Sequence, residues 1–67
     1  MSNFSERLKE LRLEKSLTQI QLADEVGLSD AAIGLWENKK RIPNLDAVIA
    51  LAKYFKVSLD YIAGLED

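Results

Sequence analysis

Neither cysteine nor histidine occurs in the 67 residues. Their absence excludes disulfides, thiolate nucleophiles and the usual zinc ligand sets, so no metal and no cofactor are expected. Without His or Cys, and with no Ser at a motif spacing from a base, the chain offers no catalytic constellation and does not read as an enzyme. No apolar run approaches the ~18 residues of a membrane span, and the N-terminus lacks a signal-type apolar segment. A soluble cytoplasmic protein that leaves membranes alone is therefore expected. Basic residues are not in excess: nine Lys and Arg face eleven Asp and Glu, a formal charge of −2. That balance argues against a non-specific nucleic-acid coat but leaves room for local basic patches. A chain this short buries only about 60% of its unfolded surface, so stability must come from tight helix packing or self-association.

Proline occurs once and glycine three times, and Val and Ile are scattered rather than alternating. One all-α domain over residues 1–67 is expected. The first helix is read over Phe4 to Lys15, with Asn3 as cap, Glu6 three residues on, and Phe4, Leu8 and Leu11 at helical spacing. The charges Arg7, Lys9, Glu10, Glu14 and Lys15 read as its solvated face. Thr18 and Gln21 form a second capping box, Leu22, Ala23 and Val26 an apolar stripe, and Gly27 a left-handed stop. Ser29 is read as the next cap, opening a third helix over about Asp30 to Glu37. Two helices so closely joined form a helix-turn-helix over about 18–37. Asn44, after Pro43, caps a fourth helix with Leu45, Val48, Ile49, Ala52 and Phe55 as its stripe. Ser58 caps a short fifth, with Asp60 suited to its N-terminal dipole.

The stretch "AAIGLWENKKRIP" has two faces. Ile33 and Trp36 lie three residues apart and point to the core. Asp30, Gly34 and Asn38 form one outer row, Ala31 and Leu35 the next. That face is slim, whereas a merely solvated one would carry Lys, Glu or Gln. A major groove about 12 Å wide admits one helix whose facing side chains are not bulky. The preceding helix would then cross the phosphate backbone, with Gln19 in its first turn able to donate beside free N–H groups. Asn38 and the run Lys39, Lys40, Arg41 could hold the phosphates at the other end. Tyr54, Leu59, Tyr61, Ile62 and Leu65 supply more apolar surface than one small core needs. The excess points to a homodimer interface at Leu59, Tyr61, Ile62 and Leu65.

From "ERLKELRLEK" through "LTQ", Ala23, Gly27, Ile33, "WEN" and "P" to "SLDYIAG", the chain resembles the Cro/CI-type (XRE-like) helix-turn-helix domain of lambdoid phage repressors. The resemblance implies a compact five-helix, lambda-repressor-like DNA-binding domain that binds a pseudo-palindromic double-stranded operator as a homodimer. It implies phosphate contacts from Gln19 and Asn38, to which Thr18 and Asn44 are added here. It places Asp30, Ala31, Gly34 and Leu35 toward the bases, with Ser29 within reach of them. It also implies an ion pair between Arg12 and Glu37. Two features depart from the pattern. Lys39 stands where many relatives have Gly, and a positive φ needed there would be best tolerated by Asn38. The reading face also lacks the Arg or Gln that pairs bidentately with guanine or adenine. Asp30 could accept from cytosine N4, Ala31 and Leu35 could meet thymine methyls, and DNA shape would carry the rest. The expected function is a transcriptional regulator of the repressor type. The alternative is a protein-interaction module or antitoxin-type protein that keeps the fold and reads DNA weakly or not at all.

Overall fold

The computed structural model describes residues 3–65, which form five helices. They are α1 (Phe4–Glu14), α2 (Gln19–Val26), α3 (Ala32–Glu37), α4 (Leu45–Phe55) and α5 (Leu59–Ala63). No strand occurs among the described residues. None of their helices is long and apolar enough to cross a membrane. The core gathers Phe4, Leu8 and Leu11 from α1, Leu22 and Ala23 from α2, Ala32, Ile33 and Trp36 from α3, Val48, Leu51, Ala52 and Phe55 from α4, and Ile62 from α5. Phe4 meets Trp36 edge-on, with ring centroids 6.4 Å apart, the geometry that the ring quadrupoles favour. Tyr54 donates to Glu25 Oε1 at 3.2 Å, tying α4 to α2.

Helix starts follow side-chain capping where the sequence offers it. Thr18 Oγ1 accepts from Gln21 N at 3.0 Å, and Gln21 Oε1 accepts from Thr18 N at 2.9 Å. Asn44 and Ser58 accept from Ala47 N and Tyr61 N respectively. These bonds satisfy N–H groups that the first helical turn leaves without partners. Two expected caps do not form: Asn3 makes no capping side-chain bond, and α3 begins at Ala32 rather than near Asp30. The Ser29 carbonyl, not its hydroxyl, takes the Ala32 N–H at 3.0 Å. Ser29 to Ala31 are therefore a turn that leads into α3.

All five helices stop in the same way. The residue after the last turn enters the left-handed region, and the following N–H reaches back to a carbonyl five residues earlier. The left-handed residues are Ser16, Gly27, Lys39, Lys56 and Gly64, and the matching bonds include Leu28 N to Ala23 O at 2.8 Å and Lys40 N to Leu35 O at 2.9 Å. Positive φ after α3 thus falls on Lys39 (φ 61°), not on Asn38 (φ −88°). The reason is positional: Lys39 N–H also bonds Trp36 O at 3.2 Å, which puts the reversal one residue past Asn38.

Three other expectations change. Leu45 is 63% exposed, because the first residue of α4 lies past the edge of the core. Ile62 is fully buried, so it belongs to the core and not to an exposed dimer face. Arg7 is not simply solvated: it donates to Tyr61 O at 2.8 Å and stacks 4.2 Å above that ring, clamping α1 to α5.

An L residue in the left-handed region costs about 1–2 kcal/mol that glycine avoids. Lys56→Gly is accordingly expected to stabilise the fold by about 1 kcal/mol, and Gly27→Ala to destabilise it by about 1–2 kcal/mol. Urea denaturation of the two variants checks both signs.

Candidate nucleic-acid interface

The helix-turn-helix is assembled around one guanidinium. Arg12 leaves the buried face of α1 and meets Glu37 at the last position of α3. Its Nε donates to Glu37 Oε2 at 2.6 Å and its Nη2 to Glu37 Oε1 at 3.0 Å. The third branch, Nη1, donates to Leu17 O at 2.7 Å, holding the chain just before Thr18 caps α2. This two-pronged pairing matches the planar fork of arginine to the carboxylate. The side chains are only 10% and 3% exposed. The hydrogen bonds that Arg12 donates to Glu37 raise the Arg12 pKa above its already high value, against the opposing effect of burial, and the Glu37 charge adds to the rise.

Gln19 completes the group from α2. Its Nε2 donates to Glu37 Oε1 at 3.1 Å, so the carboxylate accepts from α1 and α2 at once. An amide nitrogen carries two protons, and this bond uses one. Ser5 Oγ adds a buried bond to Trp36 O at 2.6 Å, fixing the C-terminal end of α3 against α1. Among the described residues, no buried side-chain nitrogen or oxygen lacks a partner.

On the outer side, Ser29, Asp30 and Ala31 are exposed in the turn before α3, and Gly34 and Leu35 are half-buried on the helix itself. All five residues expected at the bases keep some exposure, though Leu35 also packs against the core. They divide between a turn and a helix of six residues, Ala32–Glu37. Asn38, Lys39, Lys40 and Arg41 are exposed in the segment that follows. They sit beside the negative end of the α3 dipole, which favours cations there whether or not a phosphate is present. Lys39 also lies 3.9 Å from Glu6, an exposed pair of little energetic weight. Thr18 and Asn44 use a side-chain oxygen as a cap acceptor, and each keeps a donor free to turn outward. The apolar C-terminal set is not one surface: Leu59 and Leu65 are exposed, Tyr61 lies half-buried beneath Arg7, and Ile62 is inside. No group of carboxylates suited to a metal ion occurs among the described residues.

A slim helix outside, an ion pair behind it, and a second helix ending beside it define a helix-turn-helix unit. A family model described as helix-turn-helix matches residues 8–62, and the chain belongs to that family. It is 39% identical over 64 residues to the HTH-type transcriptional activator BcrR of Enterococcus faecalis, covering 96% of this chain and 31% of BcrR. It is 35% identical over 57 residues to repressor protein C2 of Salmonella phage P22, covering 85% of this chain and 26% of that protein. The chain spans less than a third of the length of either relative. Among solved structures, it superposes on the P22 c2 repressor protein, crystallised with synthetic operator 9T, with a TM-score of 0.85 and 32% identity. That match covers 94% of this chain and 96% of the other.

Removing one member of a buried ion pair strands the other charge and costs about 3–5 kcal/mol. Glu37→Gln and Arg12→Met are each expected to lose stability in that range, and the double variant less than their sum. Thermal unfolding of the three proteins provides the cycle; a single-variant loss under about 1 kcal/mol would place the pair in solvent-screened surroundings.

Proposed function

We propose that this chain binds double-stranded DNA sequence-specifically as a cytoplasmic transcriptional regulator of the repressor type. Two copies would cover a pseudo-palindromic operator, each with α3 in the major groove. The observation that carries the reading is the outer side of the motif: Ala31, Gly34 and Leu35 present a slim surface between Gln19 and the run Asn38 to Arg41. The P22 c2 repressor, on which this fold superposes, was crystallised with its synthetic operator. Its likeness supports the docking mode.

In this reading Gln19, with the first N–H groups of α2, holds one phosphate strand, and Asn38, Lys39, Lys40 and Arg41 hold the other, with Thr18 and Asn44 beside them. Base contacts come from Ser29, Asp30, Ala31 and Leu35, while Gly34 lets the helix backbone approach. Asp30 selects cytosine where its carboxylate meets N4, and repels a phosphate everywhere else. Ala31 and Leu35 contact thymine methyls. With no Arg–guanine fork on this face, much of the discrimination falls to groove shape. Leu59 and Leu65, exposed on and just after α5, supply the apolar part of the contact between copies, with Tyr61 at its edge.

Selection from random duplexes at about 100 mM salt is expected to enrich a dyad-symmetric motif. Enrichment of none would favour a protein-interaction role for the same fold. Against the enriched duplex, Gln19→Ala and Asn38→Ala should each weaken binding about tenfold, alike for matched and mismatched sequences. Lys40→Ala should flatten the slope of log affinity against log salt by about 0.9, the share of one neutralised phosphate.

A further inference from the structure

The third glycine of the chain does not serve a turn. Gly27 and Gly64 take positive φ after α2 and α5, but Gly34 lies in the middle of α3, the reading helix of six residues. There glycine is less favourable than alanine, because its backbone loses more freedom on folding. A Cβ built at Gly34 would stand 2.9 Å from Gln19 Oε1, 3.5 Å from Gln19 Cδ and 3.7 Å from Gln19 Nε2. The amide of Gln19 therefore lies against the bare face of α3 at Gly34. From that seat its Nε2 reaches Glu37 Oε1, one helical turn further along. The obstructed atom is the end of a flexible side chain rather than backbone, so an added methyl moves Gln19 and leaves the fold intact.

We propose that Gly34 is a positioning residue for Gln19. Its missing side chain forms the seat in which the amide is oriented by Glu37, with its second N–H left for the DNA backbone. The inference rests on the reading of Gln19 as a phosphate contact. It departs from the simplest view of Gly34, in which glycine serves only to let bases approach. The reading face and the backbone anchor are then coupled inside one protomer. A side chain introduced at residue 34 to gain a base contact would disturb the grip on the phosphate.

The test combines two readouts on Gly34→Ala, Gln19→Ala and the double variant. The first is the Gln19 side-chain amide resonance of the free protein, assigned by its disappearance in Gln19→Ala. It is expected to move in Gly34→Ala, while the other Gln side chain, that of Gln21, keeps its shift and thermal stability is equal or higher. The second is affinity for the duplex enriched from random sequence. Gly34→Ala is expected to weaken binding about tenfold, the loss of one hydrogen bond to a charged group, and to cause no further loss in the Gln19→Ala background. An unmoved Gln19 resonance in Gly34→Ala would overturn the seat itself, with or without DNA. An equal loss in both backgrounds would overturn it in favour of direct approach to DNA. A resonance that moves while Gln19→Ala binds like the parent would show that Gln19 does not hold the backbone, and the proposal would fall with that reading. Failure to enrich any duplex overturns the DNA reading before a variant is made.

Discussion

The Arg12–Glu37 ion pair is the constraint on which the rest of the motif depends. A carboxylate only 3% exposed is tolerated because Arg12 takes both its oxygens and Gln19 shares one of them. Three helices meet in that group: α1 contributes the guanidinium, α3 the carboxylate and α2 the amide. The remaining arginine branch holds Leu17 O, so the start of α2 is fixed by the same side chain. The apolar core packs these helices together, but an apolar contact is non-directional. The pair supplies the direction, setting how far along α1 the end of α3 sits.

That arrangement also explains the economy of the outer face. Charge needed to hold the motif together is kept behind α3, paired and nearly dry, where a DNA phosphate would not compete for it. The surface beyond it carries small groups, one exposed carboxylate at Asp30, and three cations after the helix. Net charge is therefore a poor guide to this chain. The overall balance is −2, yet the local run Lys39 to Arg41 stands where the C-terminal dipole of α3 already favours positive charge.

Much of this was legible from local patterns. The Thr18–Gln21 box, the Asn44 and Ser58 caps and the Gly27 stop each depend on residues within a few positions of one another, and all form. The start of α3 is not legible locally, because Ser-Asp-Ala has the pattern of a capped helix and the Ser29 carbonyl instead closes a separate turn. The burial of Ile62 is not legible either, because counting apolar residues does not tell which ones a five-residue helix turns inward. The Arg7–Tyr61 clamp joins residues 54 apart, and the Gly34–Gln19 seat depends on a side-chain conformation; neither leaves a signal in spacing. The loop after α3 predicts a positive φ, but only the hydrogen-bond register places it on Lys39 rather than on Asn38.

The central claim is that the slim side of α3, flanked by Gln19 and the segment 38–41, is the surface that meets DNA. Titration of the isotopically labelled protein with the enriched duplex, followed by backbone amide chemical shifts, tests it most directly. The large shifts from DNA contact are expected on residues 18–20, 29–35 and 38–41, with any change at Leu59 to Leu65 dependent on protein concentration as dimers form. Large shifts confined to Leu59 to Leu65 or to α1, with α3 and Gln19 unmoved, would contradict it.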